Sequence, residues 1–191
     1  IIELQLLTIS KKMKIGFIGL GNVGGKLANN LLKNRYKLVV RDLDTKLSKI
    51  FSKKGAIVAD SPQELAKECD VIITCLPSPK ICKEVMTSKN GVLRGLSKNK
   101  VWLEMSTTDQ FEVKKIGLMV KKKGAYALDV PVSGGCHRAA TGNISIFAGG
   151  NRKVFKKILP ILKCMGRKIL YTGELGTASI LKVITNYLAS V

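Results

Sequence analysis

The residues equipped for chemistry fall into three groups: a glycine-rich turn with a distant aspartate, a serine–glycine bend, and a lysine set among apolar neighbours. Gly19, Gly21 and Gly24 stand at G-x-G-x-x-G spacing within Lys14 to Arg35, with Leu20, Asn22 and Val23 between them. Glycines so spaced permit a tight turn, a close backbone approach to a pyrophosphate, and packing of the following helix on its strand. The free amides at that helix start favour a diphosphate. Asp42 lies 23 positions beyond Gly19 and closes a second apolar run, Leu38-Val39-Val40. An acid there accepts the ribose hydroxyls of NAD and repels the additional phosphate of NADP. Alone, the glycine pattern also fits a turn that binds nothing; the strand before, the helix after and the acid beyond favour a dinucleotide.

Ser133-Gly134-Gly135, inside DVPVSGGCHRAATGNISIFAGG, offers a hydroxyl and successive unencumbered amides, which suits a carboxylate. Lys182 and Asn186, four apart in a helical pattern from Gly176 onward, share one helix face. Leu181, Val183 and Ile184 flank the lysine, and partial burial would lower its pKa toward proton exchange. The same pattern also suits a surface lysine whose stem lies along apolar neighbours. His137, the single histidine, reads as a loop bystander because acid–base work needs a placed partner.

The elements that must hold these groups alternate between strand and helix. Ile15 to Ile18, Leu38 to Val40, Ala56 to Val58, Asp70 to Pro77 (ending in a proline loop), Val101 to Met105 and Ala125 to Val130 read as strands. Between them lie helical patterns, including Thr45 to Ser52, a Ser61-capped start with Pro62 and Glu64, and Pro79 to Met86. Gly91 and Gly95 mark a turn region. Asp109 to Lys122 reads as a helix with Phe111, Val113, Ile116 and Val120 inward. Ser145 to Ala148 reads as a strand before a Gly149-Gly150 turn, then an Asn151-capped helix to Met165 and a short strand at Ile169 to Tyr171.

This alternation predicts an α/β fold: a Rossmann-type, doubly wound, mainly parallel sheet with helices on both faces. Ligands of such sheets lie beyond the carboxyl ends of the strands. Gly19 to Gly24, Asp42, Leu76-Pro77, Ser106-Thr107 and Ser133 to Gly135 all fall there.

Composition narrows the function classes. The 191 residues are 46% hydrophobic with 5 prolines, enough chain for one well-cored domain. The formal charge is +20, which raises nucleic acid as a partner. Yet the basic residues are mostly Lys, scattered over helix faces, without an aromatic-interleaved stripe. That distribution fits a solvated surface better than a nucleic-acid face. Five cysteines without a C-x-x-C pair argue against a zinc site or a disulfide framework and fit a reduced, cytoplasmic setting. The opening IIELQLLTI is too short to span a bilayer, and its basic residues follow it, unlike a secretory signal. Met13 reads as the natural start, making 1–12 a non-native or disordered extension.

Taken together, these motifs resemble the β-hydroxyacid dehydrogenase family, which includes 3-hydroxyisobutyrate dehydrogenase, tartronate semialdehyde reductase and 6-phosphogluconate dehydrogenase. FIGLGNVGGKLANNLLK is similar to its cofactor motif, DVPVSGG with ATGN and AGG to its substrate motif, and GTASILKVITN to its catalytic-helix motif. The resemblance implies hydride transfer between NAD and a small 3-hydroxyacid or its semialdehyde. Lys182 would be the general acid/base, Ser133, Gly134 and Gly135 would hold the substrate carboxylate, and Asn186 would orient the substrate. Gly19, Leu20, Gly21, Asn22, Val23, Gly24, Asp42, Leu76, Pro77 and Thr107 would bind cofactor, NAD in preference to NADP, without a metal or membrane.

The family pattern also implies an NAD-binding domain over 13–173 and the start of an interdomain helix over 174–191. An all-helical C-terminal domain would be missing, and the full-length form would be a homo-oligomer. As such a fragment, the chain would turn over poorly. Arg35 and Arg138 occupy positions where the family usually has glycine, and Thr185 replaces the first of two asparagines. Arg138 beside the substrate bend would obstruct it or select a more acidic substrate. Cys136, His137 and Arg138 after Ser133 to Gly135 differ from the phosphogluconate branch, which leaves phosphogluconate oxidation as the alternative enzyme. A non-enzymatic nucleotide- or nucleic-acid-binding fragment is the alternative of another class.

Overall fold

The computed structural model describes residue 10 and residues 12–190. Parallel strands β1 (Lys14–Ile18), β2 (Lys37–Arg41), β3 (Ile57–Val58), β4 (Val71–Thr74), β5 (Val101–Glu104) and β6 (Tyr126–Asp129) form most of one sheet. The sheet continues through β7 (Val132–Ser133), β8 (Ile144–Gly150) and β9 (Gly166–Gly173). The spatial order is β3-β2-β1-β4-β5-β6-β8-β7, with β9 on β8. From β1 the chain first builds outward to β3, then restarts on the other side at β4. The reversal between β1 and β4 opens a crevice at the carboxyl edge, where such sheets bind ligands.

Both faces are covered, so the central strands are apolar on both sides. Ile15, Phe17, Val71, Ile73, Val101 and Leu103 point into one core layer, and Ile72 and Trp102 into the other. Over the first layer lie α1 (Gly24–Lys33) and α8 (Arg152–Met165), and over the second α3 (Pro62–Glu68) and α6 (Gln110–Lys122). The remaining helices are α2 (Thr45–Ser52), α4 (Pro79–Thr87), α5 (Val92–Gly95), α7 (Gly135–Ala140) and α9 (Thr177–Ser190).

Helix starts follow local chemistry. The side chains of Asp44, Ser61, Ser78, Asp109 and Asn151 each accept an amide in the first turn of α2, α3, α4, α6 and α8. At α1 the capping position is Val23, whose side chain offers no such bond.

Four local expectations are corrected. Phe111 is 76% exposed rather than inward. The buried stripe of α6 is Val113, Ile116, Gly117 and Val120, and two residues of helix rotation set Phe111 on the far side from Val113. Gly149 and Gly150 are not a turn; they pair antiparallel with Asp129 and Leu128 at the end of β8. His137 lies within α7, not a loop, and the Gly91–Gly95 region contains the short helix α5. The expectation for 1–12 falls outside the described residues except at Ser10 and Lys12. Ser10 is buried and its hydroxyl lies 3.0 Å from that of Tyr36.

Candidate active site

The glycine turn is shaped by collisions that a side chain would cause. Gly19 has φ +97°, and a Cβ there would overlap the Cys75 carbonyl; one on Gly24 would overlap the Gly19 carbonyl. Turn, helix and neighbouring strand thus meet at backbone distance. Gly21 differs, because a Cβ there would have no heavy atom within 4 Å. The open space over Gly21 and the start of α1, which lacks a side-chain cap, form a cradle matching a diphosphate. Asp42 closes the adjacent end. Its Oδ2 accepts the Leu20 amide at 2.6 Å and its Oδ1 accepts the Asp44 amide at 2.8 Å. The Arg41 guanidinium donates to the Asp42 carbonyl.

A second pair of loops leaves β4 and β5. The Leu76 amide donates to Ser106 Oγ at 2.8 Å, and the Ser106 amide donates to Glu104 Oε1 at 2.7 Å. Glu104 is fully buried, and its Oε2 accepts the Thr74 hydroxyl at 2.8 Å and the Cys82 thiol at 2.5 Å. Trp102 Nε1 donates in turn to Thr74 Oγ1 at 2.9 Å. Burial pushes the Glu104 pKa up, opposed by these hydrogen bonds. Cys75 faces the same crevice, and burial, helped by Glu104, raises its thiol to about 12, away from the thiolate form.

The third group comes from β7 and α9. Gly134 and Gly135 have φ of +130° and +77°, which turns the chain from β7 into α7. Lys182 is only 9% exposed, and its Nζ donates to Ser133 Oγ at 3.4 Å across 49 positions of sequence. Burial lowers its pKa from the ordinary lysine value. At the start of α9, Asp129 accepts the Gly176 amide at 2.8 Å, the Ser179 amide at 2.8 Å and the Ser179 hydroxyl at 3.0 Å.

One cavity of about 620 Å³ joins the three groups, within the size range of ligand sites. Gly19, Gly21, Asn22, Val23, Gly24, Asp42, Leu76, Pro77, Thr107, Gly134, Gly135 and Lys182 line it. Leu20 sits beneath the turn with its amide held by Asp42, and Ser133 reaches the cavity through its contact with Lys182. Asn186 is exposed, one turn beyond Lys182, and does not line the cavity. His137 and Arg138 are exposed on α7; a Cβ on Gly134 would meet Arg138 Cδ at 2.9 Å.

Glu104 and Asp129 escaped the reading of the sequence. Their one signal is an acid closing an otherwise apolar strand run, Val101 to Glu104 and Tyr126 to Asp129. Among the described residues no group of three or more His, Cys, Asp or Glu could hold a metal. No helix there is long and apolar enough to cross a membrane.

Residues 14–173 match the family described as the NAD binding domain of 6-phosphogluconate dehydrogenase. The mitochondrial 3-hydroxyisobutyrate dehydrogenase of Mus musculus is 38% identical over 184 residues, covering 96% of this chain and 55% of the mouse protein. A probable mitochondrial 3-hydroxyisobutyrate dehydrogenase of Dictyostelium discoideum is 35% identical over 189 residues, covering 99% of this chain and 59% of that protein. Among solved structures, Mycobacterium tuberculosis 3-hydroxyisobutyrate dehydrogenase with L-serine superposes with a TM-score of 0.87 at 27% identity. It covers 93% of this chain and 60% of the other. The chain therefore spans a little over half the length of the curated relatives it matches.

Proposed function

The chain belongs to the family of the NAD binding domain of 6-phosphogluconate dehydrogenase, and from that premise we propose an NAD-dependent oxidoreductase that interconverts a small 3-hydroxyacid and its semialdehyde. The observation that carries this reading is the buried Lys182 amine on the wall of the glycine-turn cavity, beside Ser133. The nicotinamide, when bound, accepts or returns a hydride at the substrate carbon.

The chain's own residues do the rest. Amides at Gly134 and Gly135 and the Ser133 hydroxyl hold the substrate carboxylate, which fixes the neighbouring hydroxyl toward Lys182. In oxidation the neutral lysine amine takes the hydroxyl proton as the C–H electron pair leaves. In reduction the ammonium returns that proton to the oxygen. A lysine pKa lowered by burial supplies both forms nearer neutrality than an exposed lysine would. Asn186, exposed one turn beyond Lys182 and outside the cavity lining, would orient the substrate only once further chain closes the site over α9. Among the cavity residues, the cradle of Gly19 to Gly24 would hold the cofactor's diphosphate and Asp42 a ribose, with Leu76, Pro77 and Thr107 as further cofactor-binding positions. Asp42 makes NAD the preferred cofactor, because its carboxylate repels an added phosphate.

In full length we propose a cytoplasmic homo-oligomer in which further helical chain completes the substrate site over α9. The five cysteines, none of them in a disulfide, suit a reducing compartment. The test is spectrophotometric: full-length protein with NAD and a panel of 3-hydroxyacids, 3-hydroxyisobutyrate included, followed as NADH appears. Turnover of a small 3-hydroxyacid is the expected result. Oxidation confined to 6-phosphogluconate, with release of carbon dioxide, would transfer the assignment to the phosphogluconate branch. No NAD reduction with any of them would overturn the enzymatic reading.

A further inference from the structure

We infer that Asp129 is a positioning residue for Lys182: from the end of β6 it anchors the first turn of α9 and so sets where the lysine amine stands against Ser133. The inference rests on the proposed role of Lys182. A helix start leaves amides without intrahelical partners, and a side chain at the capping position usually takes them. Gly176, directly before α9, has φ +95° and no side chain to do so. The oxygens come instead from 47 to 50 positions away: both Asp129 oxygens are used, on the Gly176 amide, the Ser179 amide and the Ser179 hydroxyl. Asp129 is fully buried, and its negative charge stands at the helix end that favours it.

The neighbourhood leaves the carboxylate little freedom. Gly149 pairs with Asp129 across the sheet, and a Cβ on that glycine would come within 2.5 Å of Asp129 Oδ1. Asp129 also stands four residues before Ser133, and Ser179 three residues before Lys182. One carboxylate thereby joins, at their roots, the segment bearing the substrate bend and the helix bearing the lysine. The strand end that carries Asp129 thus takes part in fixing the start of α9, alongside the Thr177 hydroxyl, which donates to the Glu174 carbonyl at 2.7 Å.

The test uses competitive acetylation of the full-length protein, read by mass spectrometry, with Lys100 as internal reference. Lys100, directly before β5, is also partly buried and donates to the carbonyls of Ala66 and Lys67 on α3. In Asp129→Asn one oxygen remains but the amide NH2 opposes the other donors, so α9 loosens. Lys182 acetylation should rise about fivefold or more while Lys100 changes less than about twofold. Ser179→Ala, which removes only the hydroxyl bond, should move Lys182 less. A parallel rise at both lysines, or no change at either, would overturn the inference. Should Asp129→Asn not fold, hydrogen exchange in the unaltered protein decides: Gly176 and Ser179 amides must be protected like those of β6. Exchange at open-chain rates would overturn the inference equally.

Turnover separates this inference from the reading it rests on. If Asp129 acts through Lys182, Asp129→Asn slows hydride transfer in the unaltered background and adds nothing in Lys182→Ala. Equal losses in both backgrounds would reduce Asp129 to a stabilising cap. Full activity in Lys182→Ala would instead remove the enzymatic reading and leave the acetylation result standing.

Discussion

The carboxylate of Asp42 holds the backbone amide of Leu20 at 2.6 Å, tying the end of β2 to the glycine turn after β1. The acid fixes the turn, and under the proposed function its remaining acceptor capacity goes to a ribose. Asp42→Asn keeps an oxygen for the Leu20 amide and removes the charge. Under the proposed NAD preference, the ratio of NADP to NAD dissociation constants, read by fluorescence titration, should fall about tenfold or more, near 1.4 kcal/mol. An unchanged ratio would show that another group, with the nearby Arg41 foremost, governs selection.

Gly21 and Gly24 belong to one motif yet should respond oppositely to alanine. At Gly21 the space is open, so Gly21→Ala should leave thermal stability within about 0.5 kcal/mol while weakening NADH binding. At Gly24 a Cβ would overlap the Gly19 carbonyl, and the helix must shift at a cost of about 1–3 kcal/mol. Paired melting curves and NADH titrations check both.

Much of this architecture is legible in the sequence because it rests on local signals. Apolar runs such as Ile15 to Ile18 and Val71 to Thr74, closed by turn residues, mark strands buried on both faces. Ser61-Pro62 and Asn151 mark helix starts that the structure places at α3 and α8. The cavity lining follows, since the strand ends of a doubly wound sheet share one edge. Long-range partnerships leave no such trace. Glu104 and Asp129 each look like an acid at a strand end, and their roles arise from donors brought together only by the fold. Phe111 misleads because hydrophobicity alone does not say which side of a helix start faces the sheet.

Arg35 follows α1 with φ +61°, a conformation that crowds a side chain. Its position, just past a helix end, is one where glycine is the ordinary solution. Arg35→Gly should raise stability by about 0.5–1 kcal/mol, the relief of strain being partly offset by the freer unfolded chain. Urea denaturation checks this, and loss of stability would contradict it.

Glu104 should leave a signature in the pH dependence of stability. Its pKa is raised in the folded protein, burial being the main cause, so the unfolded chain gives up this proton first. Its linkage contribution is therefore fully present below the unfolded glutamate value of about 4.3 and is lost as pH rises through the raised folded value. Glu104→Gln should flatten that decline. Superimposable stability–pH profiles for the two proteins would contradict the account.

Central to everything is the Lys182 amine beside Ser133 on the cofactor cavity, and a single-turnover measurement of hydride transfer in Lys182→Ala tests it most directly. The account predicts a loss of about 10²–10⁴ in the chemical step, with NADH affinity within about threefold because the glycine turn and Asp42 are untouched. In the unaltered protein, oxidation should speed up as Lys182 loses its proton, with a midpoint below the ordinary lysine value. Hydride transfer in Lys182→Ala within about tenfold of the unaltered rate, at undiminished NADH affinity, would contradict the account.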